Sequence, residues 1–196
     1  MILSEAERKL AEKYSYITGT EAYLKLKTVP RHGGTNTYDH SIRVAEQARR
    51  LAPRFGVDPE SAVKVGLLHD FCMDNYYDRR RKDSHGGRWY CFYHPEDAVM
   101  NSRLQGLSLT EEEEKAILSH MFPLAQHMVK SRLALVLTLA DKRVAAQEGV
   151  VSAVESAGGL SGELAKKLRK KHFSRLKRRK DTDENKAKQQ DGRENG

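Results

Sequence analysis

Ionisable residues recur on faces of this chain that otherwise read as core, so the helices carrying them must meet around whatever satisfies those groups. The clearest case is Lys64–Asp74, "KVGLLHDFCMD", an apolar run that closes on adjacent His69 and Asp70. Helical neighbours recur at three, four and seven residues, which lets each polar position be assigned a face. His69 follows Ala62 and Val65, His40 precedes Val44 and Leu51, and His120 shares a face with Ile117. Asp141 follows Ala134, Leu137 and Thr138 in the most apolar segment, "RLALVLTLADKRVAAQ". A buried carboxylate without a partner costs several kcal/mol, so something positive must meet Asp70 and Asp141. Lys142, Arg43 or a divalent cation could do so. Neutral imidazole together with carboxylate is the ligand set that suits iron, manganese, zinc or cobalt.

The remaining signals predict helices almost throughout. Ser4 with Glu7 forms a capping box for a first helix through about Leu26, and Gly33-Gly34 break the chain. Thr37 opens a helix that ends near Pro53 or Gly56, and Asp58-Pro59 starts another that reaches about Phe71. Cys72 to Tyr93 is polar and aromatic without clear periodicity, the pattern of a lid or binding loop. His94, before Pro95, reads as the N-cap of a helix ending before Gly106. Thr110 with Glu113 caps a helix through about Met121, and Ser131 opens the apolar helix, which stops near Gly149. An amphipathic piece begins around Ser161. Strand alternation is absent from the sequence, so the expected fold class is all-α, a helical bundle with a disordered basic C-terminal tail. The expected organisation is an N-terminal helix and connecting segment over 1–34, a metal-binding helical domain over 35–160, and a basic helix and tail over 161–196.

No apolar stretch approaches the roughly 20 residues that span a bilayer, and the N-terminus lacks a signal-peptide pattern, which points to the cytoplasm. Cys72 and Cys91, without a CxxC pattern, suit buried thiols in a reducing compartment. The net charge of +8 is local: ten Lys/Arg and no acids fall within 166–180, whereas 1–165 balance 22 basic against 22 acidic residues. That block could bind nucleic acid or an acidic surface, or form a solvated helix end.

The ordered set His40, His69-Asp70, His94, His120 and Asp141 resembles the HD-domain metal-dependent phosphohydrolase superfamily. "TYDHSIRVAEQA", "VGLLHDF" and "LTLADKRVA" look like its characteristic segments, over about residues 35–150. The two further histidines match the subgroup that holds two metals, which includes symmetrical diadenosine-tetraphosphate hydrolases and some cyclic-dinucleotide phosphodiesterases. "YDHS", "LLHDF", "HPEDA" and "ADK" are similar to bacterial HD proteins without an assigned substrate. The resemblance implies that His40, His69, Asp70 and Asp141 hold a first ion. Asp70 would bridge to a second, completed by His94 and His120. Fe or Mn leads the candidates, with Zn, Co, Ni and Mg in the same set. The implied reaction is hydrolysis of a phosphate ester or anhydride of a small phosphorylated substrate, a nucleotide in the leading reading. Paired ions lower the pKa of water and neutralise phosphate oxygens, so no serine or cysteine nucleophile is needed. The alternative is a regulatory or RNA-associated protein that keeps the fold and works through residues 166–180.

Asp70 and Lys142 are the catalytic candidates. Lys142 could touch phosphate, orient the Asp141 carboxylate, or simply lie on the surface. Arg43, one turn past His40, could grip a phosphate bidentately or form a structural ion pair, and Arg31 and His32 could line an entrance. Many dinuclear relatives carry Gly-Lys or Ala-Lys where this chain has Cys72 and Met73, so the usual phosphate anchor is missing. Asp74 and Arg79, Arg80 and Arg81 could replace it. Trp89, Tyr90 and Phe92 could stack a base or pin the loop. His85, His127 and His172 receive no role.

Overall fold

The computed structural model describes residues 2–31, 34–73, 85–124 and 127–156. The chain divides into two units, Met1–Val150 and Val151–Gly196. Of the second, only 151–156 are described, as the last residues of a helix. His32, Asp74, Arg79, Arg80, Arg81, His172 and the basic block 166–180 lie outside the described residues.

Among the described residues the regular elements are helices, with no strand, and an isolated antiparallel bridge joins Pro30 and Asn36. In chain order the helices are α1 (Glu5–Lys13), α2 (Ser15–Thr18), α3 (Glu21–Leu24), α4 (Thr37–Leu51), α5 (Pro59–Leu68), α6 (Tyr90–Leu104), α7 (Glu111–Ser119) and α8 (Arg132–Ser156). None is long and apolar enough to cross a membrane. The all-α expectation holds. So do the capping boxes of Ser4 with Glu7 and Thr110 with Glu113, and the start of α5 at Asp58-Pro59.

Three boundaries differ from expectation. The first helix breaks into α1, α2, α3 and a 3-10 turn, Lys25–Thr28. The Thr18 hydroxyl donates to the carbonyls of Ala11 and Tyr14, and Gly19 ends α2. Thr20 then caps a new start by accepting from the Tyr23 amide, the competition with the helix ladder that threonine offers. His94 is not an N-cap. The helix begins one turn earlier, at Tyr90, and carries Pro95 inside it. Pro95 forfeits one hydrogen bond, to the carbonyl of Cys91, while Tyr90 and Tyr93 gain burial against Cys72. Gly149 does not stop α8, since it keeps a helical φ and the helix runs to Ser156.

The core draws on every helix, including Leu10, Ile17, Tyr23, Ile42, Val44, Leu67, Leu68, Ile117 and Leu137. The closest crossing is that of α5 on α4 at Gly66. A Cβ there would stand 2.5 Å from the Ala45 Cα and 2.9 Å from its nitrogen. Only glycine permits this approach, which brings the end of α5 beside His40. The last carbonyls of α5 are all answered although buried. Val65 receives the His69 amide at 2.9 Å and Leu68 the Phe71 amide at 3.1 Å. Gly66 receives the His69 ring at 2.9 Å, and Leu67 the Tyr23 hydroxyl at 2.7 Å. The helix can therefore stop inside the protein, with His69 and Asp70 at its end.

Candidate metal centre

His40 on α4, His69 and Asp70 at the end of α5, His94 on α6, His120 at the end of α7 and Asp141 on α8 converge, and all six are buried. The orientation of each ring follows from its Nδ1. In His69, His94 and His120 that atom lies 2.9, 2.7 and 2.7 Å from the carbonyls of Gly66, Tyr90 and Ile117. In His40 it lies 2.8 Å from Glu148 Oε2. Carbonyls and carboxylates only accept, so Nδ1 carries the proton in every ring. The ring of Tyr90 also stacks on His94 at 4.4 Å.

The Nε2 atoms consequently face inward, onto more acceptors. His40 Nε2 is 3.2 Å from Asp141 Oδ1 and 3.6 Å from Asp70 Oδ2. His69 Nε2 is 2.9 Å from Asp70 Oδ2 and 3.8 Å from Asp141 Oδ1. On the other side of the same carboxylate, Asp70 Oδ1 is 3.3 Å from His94 Nε2 and 3.8 Å from His120 Nε2. Those two nitrogens stand 3.0 Å apart. His69 Nε2 and both Asp70 oxygens are buried with no hydrogen-bond partner among the described residues. Arg31 approaches Oδ2 as an ion pair at 2.5 Å.

Such an assembly of acceptors needs protons or cations at its centre. Donors about 2.1 Å from a common ion stand about 3.0 Å apart at octahedral angles and about 3.4 Å apart at tetrahedral ones, close to these separations. Among the described residues, two groups could hold a metal ion, His40 with His69 and Asp141, and His69 with Asp70 and His120, each with donor atoms within 4.8 Å of one another. The nitrogen and oxygen donors, each imidazole tethered from behind, fit a divalent transition metal.

Electrostatics point the same way. At Asp70, burial opposes ionisation, but the Arg31 guanidinium and His69 outweigh it and hold the carboxyl well below its usual range. Asp141 is held low in the same manner, with His40 and His69 overcoming burial. Burial also disfavours a charged His69, yet Asp70 and Asp141 raise it to about 9. His120 goes the other way: burial, then His94 and His69, push it down to about 3.

The other expected site residues take varied places. Arg31 is buried against Asp70, with Nη2 also 3.3 Å from His40 Nε2. Lys142 Nζ lies 3.1 Å from Asp141 Oδ2 and 3.5 Å from the His120 carbonyl, its side chain 43% exposed. Arg43 is buried and turns to Glu148 and Thr35, at 2.8 and 2.9 Å. Glu148 itself was missed. Its signal was available, since it lies seven residues past Asp141 on the same face of α8. Of the residues at the missing phosphate anchor, Cys72 is buried with Tyr90 and Tyr93, its thiol 3.7 Å from Asp97 Oδ2, while Met73 is partly exposed. His85 pairs with Asp97 at 2.9 Å and stacks on Tyr93, and His127 is exposed.

The sequence matches a known family. Residues 37–146, more than half of the chain, match the HD domain. The chain belongs to the HD domain family, a superfamily of metal-dependent hydrolases. No curated protein and no solved structure matches it.

Proposed function

We propose that the chain is a metal-dependent phosphohydrolase that cleaves a phosphate ester or anhydride of a nucleotide, with His40, His69, Asp70 and Asp141 holding one cation and Asp70, His94 and His120 a second. The observation that carries this reading is the division of Asp70: Oδ2 faces His40 and His69, whereas Oδ1 faces His94 and His120. A carboxylate with a different pair of imidazoles at each oxygen could be shared by two cations. When bound, such cations supply Lewis acidity toward phosphate oxygens and lower the pKa of water. Fe or Mn suits the donor set best.

The chain's own groups complete the site. Lys142 holds the outer oxygen of Asp141 and so directs Oδ1 inward. Arg31 keeps a fixed positive charge beside Asp70, where a phosphate oxygen would arrive. Trp89 is exposed at the N-cap of α6, the helix that carries His94, and offers a face on which a base could stack. Phosphate handling falls to Arg31 in this reading, because Met73 stands where relatives place a lysine.

The test is metal content of protein purified without added metal, then phosphate release from a panel of nucleotides and other phosphate compounds with Mn or Fe. Uptake of divalent metal together with phosphate release is the expected result. Protein that takes up none of Fe, Mn, Co or Ni would sink the proposal. Removing residues 161–196 should leave hydrolysis unchanged; loss of nucleic-acid retention alone would mark that segment as an accessory.

A further inference from the structure

His69, His94 and His120 each tether Nδ1 to a backbone carbonyl three or four residues earlier. His40 does not. Its Nδ1 meets a carboxylate, Glu148 Oε2, 2.8 Å away in space and 108 residues along the chain. Glu148 is 2% exposed, and its other oxygen receives Arg43 Nη1 at 2.8 Å. Arg43 Nη1 is itself fixed by the Thr35 hydroxyl at 2.9 Å. His40 and Arg43 are one turn apart on α4, so a single carboxylate from α8 binds both. Glu148 also lies two residues beyond the end of the family match, so the HD pattern does not supply it.

A backbone carbonyl and a carboxylate both keep the proton on Nδ1, but only the carboxylate brings a full negative charge to the ring. That charge makes Nε2 a stronger donor. The second oxygen cannot swing away, because Arg43 holds it. We infer that Glu148 is a positioning residue of the metal centre: it locks His40 in the tautomer that turns the Nε2 lone pair on the cation, and Arg43 aims it. This rests on the reading that His40 ligates a metal. Glutamine at 148 cannot serve both neighbours. If its oxygen faces His40, its amide meets the Arg43 donor. If it is reversed, the amide donates to Nδ1 and drives the proton to Nε2, where it blocks ligation.

The experiment uses the full chain with Glu148→Gln and with the double variant Glu148→Met/Arg43→Met. The double variant removes both charges together, so no buried charge is left unpaired. Two quantities are read: the His40 tautomer from imidazole nitrogen shifts of metal-free protein, and Co(II) affinity by competition with a chromophoric chelator. Wild type is expected to hold His40 with the proton on Nδ1, and the variants to populate the other tautomer. Co(II) affinity of one site is expected to fall about 10–100-fold. A role for Glu148 in balancing Arg43 alone would leave the tautomer and the affinity of the double variant unchanged, and that result overturns the inference. Wild-type protein that takes up no Co(II) would instead remove the metal reading, and this inference with it.

Discussion

On the Oδ2 side of Asp70 the imidazoles sit among charges, with Asp141, Glu148, Arg31 and Arg43 all within two contacts of His40. On the Oδ1 side, His94 and His120 are held by carbonyls and the ring of Tyr90. The outcome for the rings is opposite, with His69 raised to about 9 and His120 lowered to about 3. One side keeps a positive charge of its own when no metal is bound. On the other side His120 is held neutral. On the proposed reading, a cation on the first side would displace the His69 proton and compete with Arg31, whereas on the second His120 is already deprotonated.

The largest disruption should come from the group both sides share. Asp70→Asn is expected to abolish metal uptake at both positions and phosphate release with it, as read by elemental analysis. It also removes the ion-pair partner of the buried Arg31 charge, which should lower the stability of metal-free protein by about 3–5 kcal/mol in denaturant titrations. Next come single breaks. His120→Ala should remove the cation on the Oδ1 side and leave the other, halving metal content, and His40→Ala should do the reverse. A common loss of both ions in each variant would show that the sides are not independent.

A smaller effect is expected at the helix crossing. Gly66→Ala forces a methyl group into the Ala45 backbone. It should cost about 1–3 kcal/mol. Because α5 meets α4 there, metal affinity should suffer more on the His40 side than on the side built from α6 and α7.

The last effect is pH dependence of metal-free protein. His69 is raised from 6.5 to about 9, so the stability it contributes is complete below pH 6.5 and is lost as pH rises through 9. His120 is lowered from 6.5 to about 3, so its contribution is present above pH 6.5 and is lost as pH falls toward 3. The melting temperature should therefore peak near pH 6.5, falling on either side, and saturating Mn should remove the alkaline decline by replacing the His69 proton. A flat profile between pH 6.5 and 9 without metal would contradict the charged character given to the Oδ2 side.

Much of this was legible in the chain because it is local. Capping at Ser4, Asp58 and Thr110 depends on residues three apart, and those starts stand where the pattern puts them. Helical periodicity puts His40, His69, His120 and Asp141 on apolar faces, whereas His94 joined the set through the resemblance to the HD domain. Where Pro95 falls in its helix was not legible, since the preceding turn forms by packing Tyr90 and Tyr93 on Cys72. The partners of the charged groups were not legible either. Arg31 pairs with Asp70, Arg43 with Glu148, and Glu148 with His40, across separations that no local pattern spans. Residue type and spacing determined that this chain must gather imidazoles and carboxylates in its interior. Which charge faces which was decided only when α4, α5 and α8 closed on one another. The energy of a buried charge depends on the neighbour a few ångströms away, and the chain chooses that neighbour by folding.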